Sequence, residues 1–147
     1  MPYSIACIWS YASSFQDIKD NYELKELFFR RENIQSLLEI INEPAILGFS
    51  CYVWNWKYVL HVAQELKKRY SKALIIFGGP QVPENSGRFF EKYPFVDIAC
   101  IAEGEQTFTE LLRVATNPQP NFNNVPGCLV KGITGETVTT PVRERLE

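Results

Sequence analysis

Two continuous apolar runs limit what this chain can fold into: Ile46-Leu47-Gly48-Phe49-Ser50-Cys51-Tyr52 and Leu74-Ile75-Ile76-Phe77-Gly78-Gly79-Pro80. A strand with one wet face alternates apolar and polar residues. A strand covered on both faces does not. Both runs therefore read as fully buried strands of a parallel sheet. The first stops in a serine, the second in paired glycines. In open parallel sheets, ligands sit outside the carboxyl ends of the strands. A hydroxyl beside two positions without side chains makes a narrow slot with one hydrogen-bonding group. Such a slot suits a flat aromatic group better than a phosphate.

Around these runs, strand and helix signals alternate. Ile34, Leu37, Leu38 and Ile41 recur at helical spacing, so a helix is expected over 32–42, stopped by Pro44. Asn55 is placed to cap the next helix, whose buried face is Val59, Val62, Ala63, Leu66 and Tyr70. Lys67, Lys68 and Arg69 fall in its last turn, where cations suit the helix dipole. Strands are expected over 45–50, 73–77 and 96–101, a short helix over 86–92, and a further helix through Phe108, Leu111, Leu112 and Ala115. Residues 22–29 suit a more polar outer strand. Asn117–Pro126 carries three prolines and four asparagines and reads as a linker. Strands near 127–131 and 136–140 then form a peripheral hairpin around Gly132–Gly135. Tyr3–Phe15 fits either period, Ile5, Ile8, Trp9 and Ala12 as a helix or Tyr3, Ile5, Cys7 and Trp9 as a strand. Its small residues favour the helix, and the usual first strand then lay upstream.

The fold class is α/β: a three-layer Rossmann-like, flavodoxin-like parallel sheet with a small C-terminal β-hairpin. With 147 residues, 46% of them hydrophobic, the chain suffices for one domain. A net charge of −2 argues against nucleic acid, which calls for a basic face. No apolar stretch is long enough to span a bilayer, and the start lacks the pattern of a signal peptide. The four cysteines, Cys7, Cys51, Cys100 and Cys128, are far apart and form no C-x-x-C pair. They read as reduced thiols of a cytoplasmic protein, without an internal zinc or iron–sulfur site.

Several residues have chemistry to offer, each with a plain structural reading beside it. Ser50 either bonds local backbone groups or presents its hydroxyl to a ligand ring nitrogen. Gly78, Gly79 and Pro80 make a tight turn or admit a ligand close to the backbone. Bulk at Gly79 is then expected to close the slot and leave the core intact. Glu103-Gly104-Glu105 sits between a strand and a helix on the same edge. Carboxylates suit a helix start in any case, and Thr107 with Glu110 mimics a capping box. Tyr52, Trp54, Asn55 and Trp56 come after the serine; aromatics in a loop need cover, and core packing explains one tryptophan more easily than two. His61, the only histidine, falls on a helix rather than in a ligand loop. The dinucleotide and phosphate-loop glycine patterns are absent.

Taken in order, Gly48-Phe49-Ser50-Cys51-Tyr52-Val53-Trp54-Asn55, Gly78-Gly79-Pro80-Gln81-Val82-Pro83 and Glu103-Gly104-Glu105-Gln106-Thr107-Phe108 resemble the N-terminal cobalamin (B12)-binding domain of radical SAM enzymes, from about Pro2 to Arg145. That group includes anaerobic magnesium-protoporphyrin IX monomethyl ester cyclases. The resemblance implies a site made by Ser50, Cys51, Tyr52, Trp54, Asn55, Gly78, Gly79, Pro80, Glu103, Gly104 and Glu105. It implies a slot for the dimethylbenzimidazole tail beside Ser50, Gly78 and Gly79. The D-x-H-x-x-G motif that supplies a cobalt-ligating histidine elsewhere in the family does not stand here, so no metal ligand is expected from this chain.

The three-cysteine radical SAM signature is also absent. The resemblance puts it in a downstream domain of the same polypeptide, with a 4Fe-4S cluster and S-adenosylmethionine. This chain, expected to be a cobalamin-binding-like domain over 1–126 with a hairpin and linker start over 127–145, is then not catalytic alone. Leu146-Glu147 resembles a scar before a purification tag. The alternative is a degenerate domain that binds no cobalamin and only docks. A phosphorylation receiver needs an aspartate where Ser50 stands, and a nucleotide-binding enzyme needs the missing glycine fingerprint.

Overall fold

The computed structural model describes residues 3–84 and 86–145; the suspected scar lies outside them. Among them the sheet has five strands in chain order: β1 (Ile46–Ser50), β2 (Leu74–Gly78), β3 (Ile98–Cys100), β4 (Cys128–Lys131) and β5 (Thr137–Thr139). β1, β2 and β3 pair in parallel, with Ser50 beside Gly78 and Phe77 beside Ala99. β4 and β5 are antiparallel additions.

β2 is the continuously buried strand its sequence promises. Ile75 and Phe77 face one helical layer and Ile76 the other, all essentially inaccessible. Each such side chain contributes about 1.5–3 kcal/mol of burial. β1 is different. Its residues are only half-buried and Gly48 is exposed. β2 alone flanks it, and no described residue pairs with its outer side. The continuous apolar pattern does not distinguish a strand with two neighbours from an edge strand.

Helices α4 (Trp56–Arg69) and α5 (Phe89–Lys92) cover one face of the sheet through Val59, Ala63, Phe89 and Phe90. α6 (Gly104–Ala115) covers the other through Leu111. α1 (Tyr3–Ala12) and α2 (Gln16–Asn21) lie on α6, where Ala12, Ile18 and Leu112 share one cluster. α3 (Ile34–Ile40) lies on α4 through Leu37, Val62 and Leu66. The ambiguous first segment is therefore helix.

Residues 22–29 form no strand. Tyr22 packs with the α1–α6 cluster and donates its hydroxyl to Leu112 O at 2.6 Å, while Phe28 packs with the α3–α4 cluster. The two clusters lie on opposite faces of the sheet. The segment thus passes around the β1 edge rather than along it, and its apolar residues are anchors instead of a ladder. The expected hairpin exists but is less peripheral than its short strands suggest. β4 completes the main sheet, with Cys128, Leu129 and Val130 buried. The helix expected to start at residue 86 starts at Phe89, and the 96–101 strand shortens to β3.

Candidate functional site

The carboxyl ends of β1 and β2 are fused by their backbones. Cys51 N–H donates to Gly78 O at 2.6 Å, and Gln81 N–H donates to Cys51 O at 3.1 Å. Gly79 makes this approach possible. Its φ is +107°, and a Cβ there would stand 2.6 Å from Cys51 O. Any side chain at 79 would strain and displace backbone, so the expectation that bulk at Gly79 leaves the core intact is corrected. Gly78 is the more permissive of the pair: a Cβ there meets only Cys100 Cβ, at 3.7 Å.

Ser50 and Gly78 are paired neighbours, and Gly79 comes next on the same edge. The Ser50 hydroxyl lies 3.1 Å from the Ser4 hydroxyl, so α1 supplies a second hydroxyl to the slot. Ile8 of α1 reaches the other side, where a Cβ on Gly104 would meet its Cδ1 at 3.1 Å. The Tyr3 phenol is pushed up, chiefly by its contact with Cys7 and least by the charge of Glu105. Sequence reading missed Tyr3, Ser4 and Cys7, because nothing local in a helix start reveals which strand end it meets.

Cys51 turns into the core. It is fully buried, and burial pushes its thiol up to about 12. What it offers the edge is its backbone. Asn55 precedes α4 as expected but makes no side-chain cap. Its amide closes the loop instead, accepting from Tyr52 N–H at 2.8 Å and donating to Ser50 O at 2.9 Å. That loop then holds Tyr52 and Trp54 with their rings parallel, centroids 4.5 Å apart. Trp56 packs edge-on against Phe77 and Tyr93, whereas Trp54 is 66% exposed and Val53 76%. Trp56 is half-buried against the core, and Trp54 is left uncovered.

Pro80 is exposed in the turn after Gly79, and Glu103 is exposed just before α6 with no side-chain cap of its own. Glu105 is half-buried in the first turn of α6. Thr107 is no helix cap. It is buried within α6, accepts from Arg143 Nε at 2.9 Å and lies 3.4 Å from Pro126 O. Its partner in the supposed capping box, Glu110, also binds Arg143. A cleft adjoins the aromatic stack on the α4 side, lined by Arg31, Trp54, Trp56, Lys57, Tyr58 and Gln81. Arg31 donates to Trp54 O there, a contact that no sequence motif signals. His61 is exposed on α4. Among the described residues, no three His, Cys, Asp or Glu side chains gather as metal ligands, and no helix is long and apolar enough to cross a membrane.

The chain is similar to cobalamin-dependent radical SAM methyltransferase TokK of Streptomyces tokunonensis, 38% identical over 146 residues, which are 99% of this chain and 21% of that protein. It is 34% identical over 146 residues to the 2-(S-pantetheinyl)-carbapenam-3-carboxylate methyltransferase of Streptantibioticus cattleyicolor, again 99% of this chain and 21% of that protein. The chain thus spans about a fifth of the length of these curated relatives. Its fold matches the cobalamin-dependent S-adenosylmethionine radical enzyme OxsB, solved with aqua-cobalamin and S-adenosylmethionine bound. That match has a TM-score of 0.61 and 22% identity, and covers 76% of this chain and 15% of that one. The sequence profile of the B12 binding domain matches residues 12–112. Those residues make up most of the sequence, and the chain belongs to the B12-binding domain family, whose cofactor is cobalamin.

Proposed function

We propose that this chain holds cobalamin at the carboxyl edge of its sheet, as the cofactor module of a larger radical SAM methyltransferase. The observation that carries this reading is the Tyr52–Trp54 stack, with Trp54 exposed, in the loop directly after Ser50, whose strand-end neighbour is Gly78. A large aromatic ring left in water, as Trp54 is, is unfavourable, and a flat, largely apolar macrocycle is a body of the right shape to cover it. The residues fit the cofactor in kind. Ser4 and Ser50 offer hydroxyls to a ring nitrogen of its tail. Gly78 and Gly79 leave the strand ends bare. Glu103 and Glu105 offer acceptors to amide groups at the macrocycle rim. Asn55 fixes the loop that aims the rings.

When bound, cobalamin supplies the cobalt chemistry of methyl transfer; the protein's part is position and surroundings. The names of the two curated relatives favour methyl transfer over the cyclase reading. The 4Fe-4S cluster and S-adenosylmethionine belong, on this reading, to a downstream domain. β4 and β5 belong to the main sheet, so the lead into that domain begins after Thr139. The buried thiols of Cys51, Cys100 and Cys128 suit a reducing cytoplasm.

Titration of aquocobalamin into the chain, followed by visible absorbance, tests the reading. Saturable but weak binding is expected, because one face of the corrin lacks a second domain. Trp54→Ala should weaken it about tenfold while leaving the unfolding midpoint in place. Electron paramagnetic resonance of the cob(II)alamin complex should show no splitting from a protein imidazole, since His61 stands on α4 away from the strand ends. No spectral change with the wild-type chain would leave only a docking module.

A further inference from the structure

Arg143 has more hydrogen-bond partners than any other side chain among the described residues. Nε donates to Thr107 Oγ1 at 2.9 Å. Nη1 donates to Gln106 Oε1 at 3.4 Å and Glu110 Oε1 at 3.1 Å. Nη2 donates to Glu110 Oε2 at 2.6 Å and Pro126 O at 3.3 Å. The side chain is 17% exposed. Yet it stands on a stretch, 140–145, with no regular structure, between exposed Val142 and Glu144. Apolar burial does not hold this stretch in place. Its first residue, Thr140, is buried and accepts from Cys128 N–H at 2.9 Å, but beyond Thr140 the core has no such need of the stretch, because Cys128, Leu129 and Val130 already lie between β3 and β5.

The clamp has a definite place. Ile101 N–H donates to Gly127 O at 2.8 Å, and Gly127 N–H donates to Pro141 O at 2.8 Å. Two short steps therefore link the carboxyl end of β3 to the departing chain. Gly127 (φ +79°) leaves room for it, since a Cβ there would come within 3.1 Å of Thr107 Oγ1 and 3.5 Å of Arg143 Cβ. Thr107, Gln106 and Glu110 belong to the first half of α6, directly after Glu103 and Gly104. The polypeptide therefore leaves the sheet at the same edge as Ser50, Gly79 and Glu105.

We infer that Arg143 is a positioning residue that fixes the exit of the chain at the carboxyl edge and so aims the downstream domain at the cofactor site. The identity of that domain and of the cofactor rests on the proposed function; the clamp itself does not. A planar guanidinium with five donors sets direction as well as distance, which a lysine ammonium does not.

Two measurements test it. In the 147-residue chain, Arg143→Ala should speed amide exchange at Gly127 and Thr140 about tenfold or more, the loss expected for charge-assisted bonds. Amides at Cys51 and Leu74, across the β1–β2 pair, should not change. Equal acceleration at all four sites would make Arg143 a general stabiliser, and no acceleration anywhere would remove the clamp; either overturns the inference. If Arg143→Ala does not fold, Glu110→Gln gives the same comparison. In the full-length polypeptide, loaded with cobalamin and its cluster, relaxation of the cob(II)alamin signal by the reduced cluster reports their separation. Arg143→Ala should weaken that effect with cobalamin affinity unchanged, and Arg143→Lys should restore only part of it. Wild-type relaxation in Arg143→Ala would sink the aiming role. Failure of the wild-type chain to bind cobalamin would sink the proposed function instead, with the exchange result still deciding on the clamp.

Discussion

At the amino edge of the sheet, Asp97 gathers Lys67 Nζ at 2.8 Å, Lys131 Nζ at 3.3 Å and the Ile75 amide at 2.8 Å. One carboxylate ties α4, β2 and β4 together, and all three charged side chains are mostly covered. At the carboxyl edge the same sheet ends in Gly79, Ala102 and Gly127, all with positive φ. It also leaves Trp54 and Val53 in water and gives Glu103 no capping role. Among the described residues the amino edge has two positive φ angles, at exposed Glu43 and at Gly135 in the open β4–β5 turn. The amino edge pairs its charges internally, although the buried Thr137 hydroxyl there has no partner among the described residues. The other keeps bare backbone, a strained turn at Ala102 and an uncovered ring at Trp54. Features that lower stability persist where something other than stability uses them, and on the proposed function the exposed Trp54 and the strained Ala102 belong to the cofactor end.

The largest test of this contrast is Gly79→Ala. The positive φ and the 2.6 Å approach to Cys51 O together should lower stability by more than about 3 kcal/mol in urea unfolding. Gly78→Ala, with only Cys100 Cβ nearby, should stay within about 1 kcal/mol and is the better variant for crowding the slot. A mild Gly79→Ala would mean that the strand ends are not locked by their backbones.

Next is the amino edge. Asp97→Ala strands two covered ammonium groups and a backbone donor, which should lower stability by about 2–3 kcal/mol. Cobalamin binding by the folded fraction should not change. A variant that folds normally but binds less would erase the division between the two edges.

The range of each interaction decides how much of this was legible. α4 and β2 were readable because their residues repeat with a period that one element sets for itself. Residues 22–29 were not, because Tyr22 and Phe28 answer to clusters on opposite faces of the sheet. Thr107 and Glu110 have the spacing of a capping box, yet their partner is Arg143, more than thirty residues on. The site was half legible. Ser50 and Gly78 announce themselves as strand-end residues, but Ser4 reaches Ser50 only through the packing of α1. A Gly-Gly-Pro sequence signals a turn without telling which glycine the backbone needs.

Just before the loop that carries exposed Trp54, buried Cys51 gives the carboxyl edge a dry floor. Burial lifts the Cys51 thiol from 9.0 to about 12. The unfolded chain ionises this thiol above about 9, the folded chain only near 12. Its contribution is therefore full below pH about 9 and falls by roughly 1.4 kcal/mol per pH unit up to about 12. Cys51→Ala should flatten that alkaline slope, measured by unfolding at a series of pH values. An unchanged slope would show that water already reaches the floor.

The smallest effect concerns Ala102, exposed between β3 and α6 with φ 61°. An L-residue there carries about 1–2 kcal/mol of steric strain that glycine does not. Glycine in turn gains about 0.4–1 kcal/mol of entropy in the unfolded chain. The balance predicts that Ala102→Gly stabilises by roughly 0.5 kcal/mol. A stabilised variant with weaker cobalamin binding would tie the strain to the site, because the turn that Ala102 stiffens presents Glu103 and Glu105. A stabilised variant with unchanged binding would confine the useful strain to Gly79 and the aromatic loop. Destabilisation would show that Ala102 is held by contacts stronger than its own dihedral preference, leaving Gly79 and Gly127 as the positions where this edge departs from ordinary backbone.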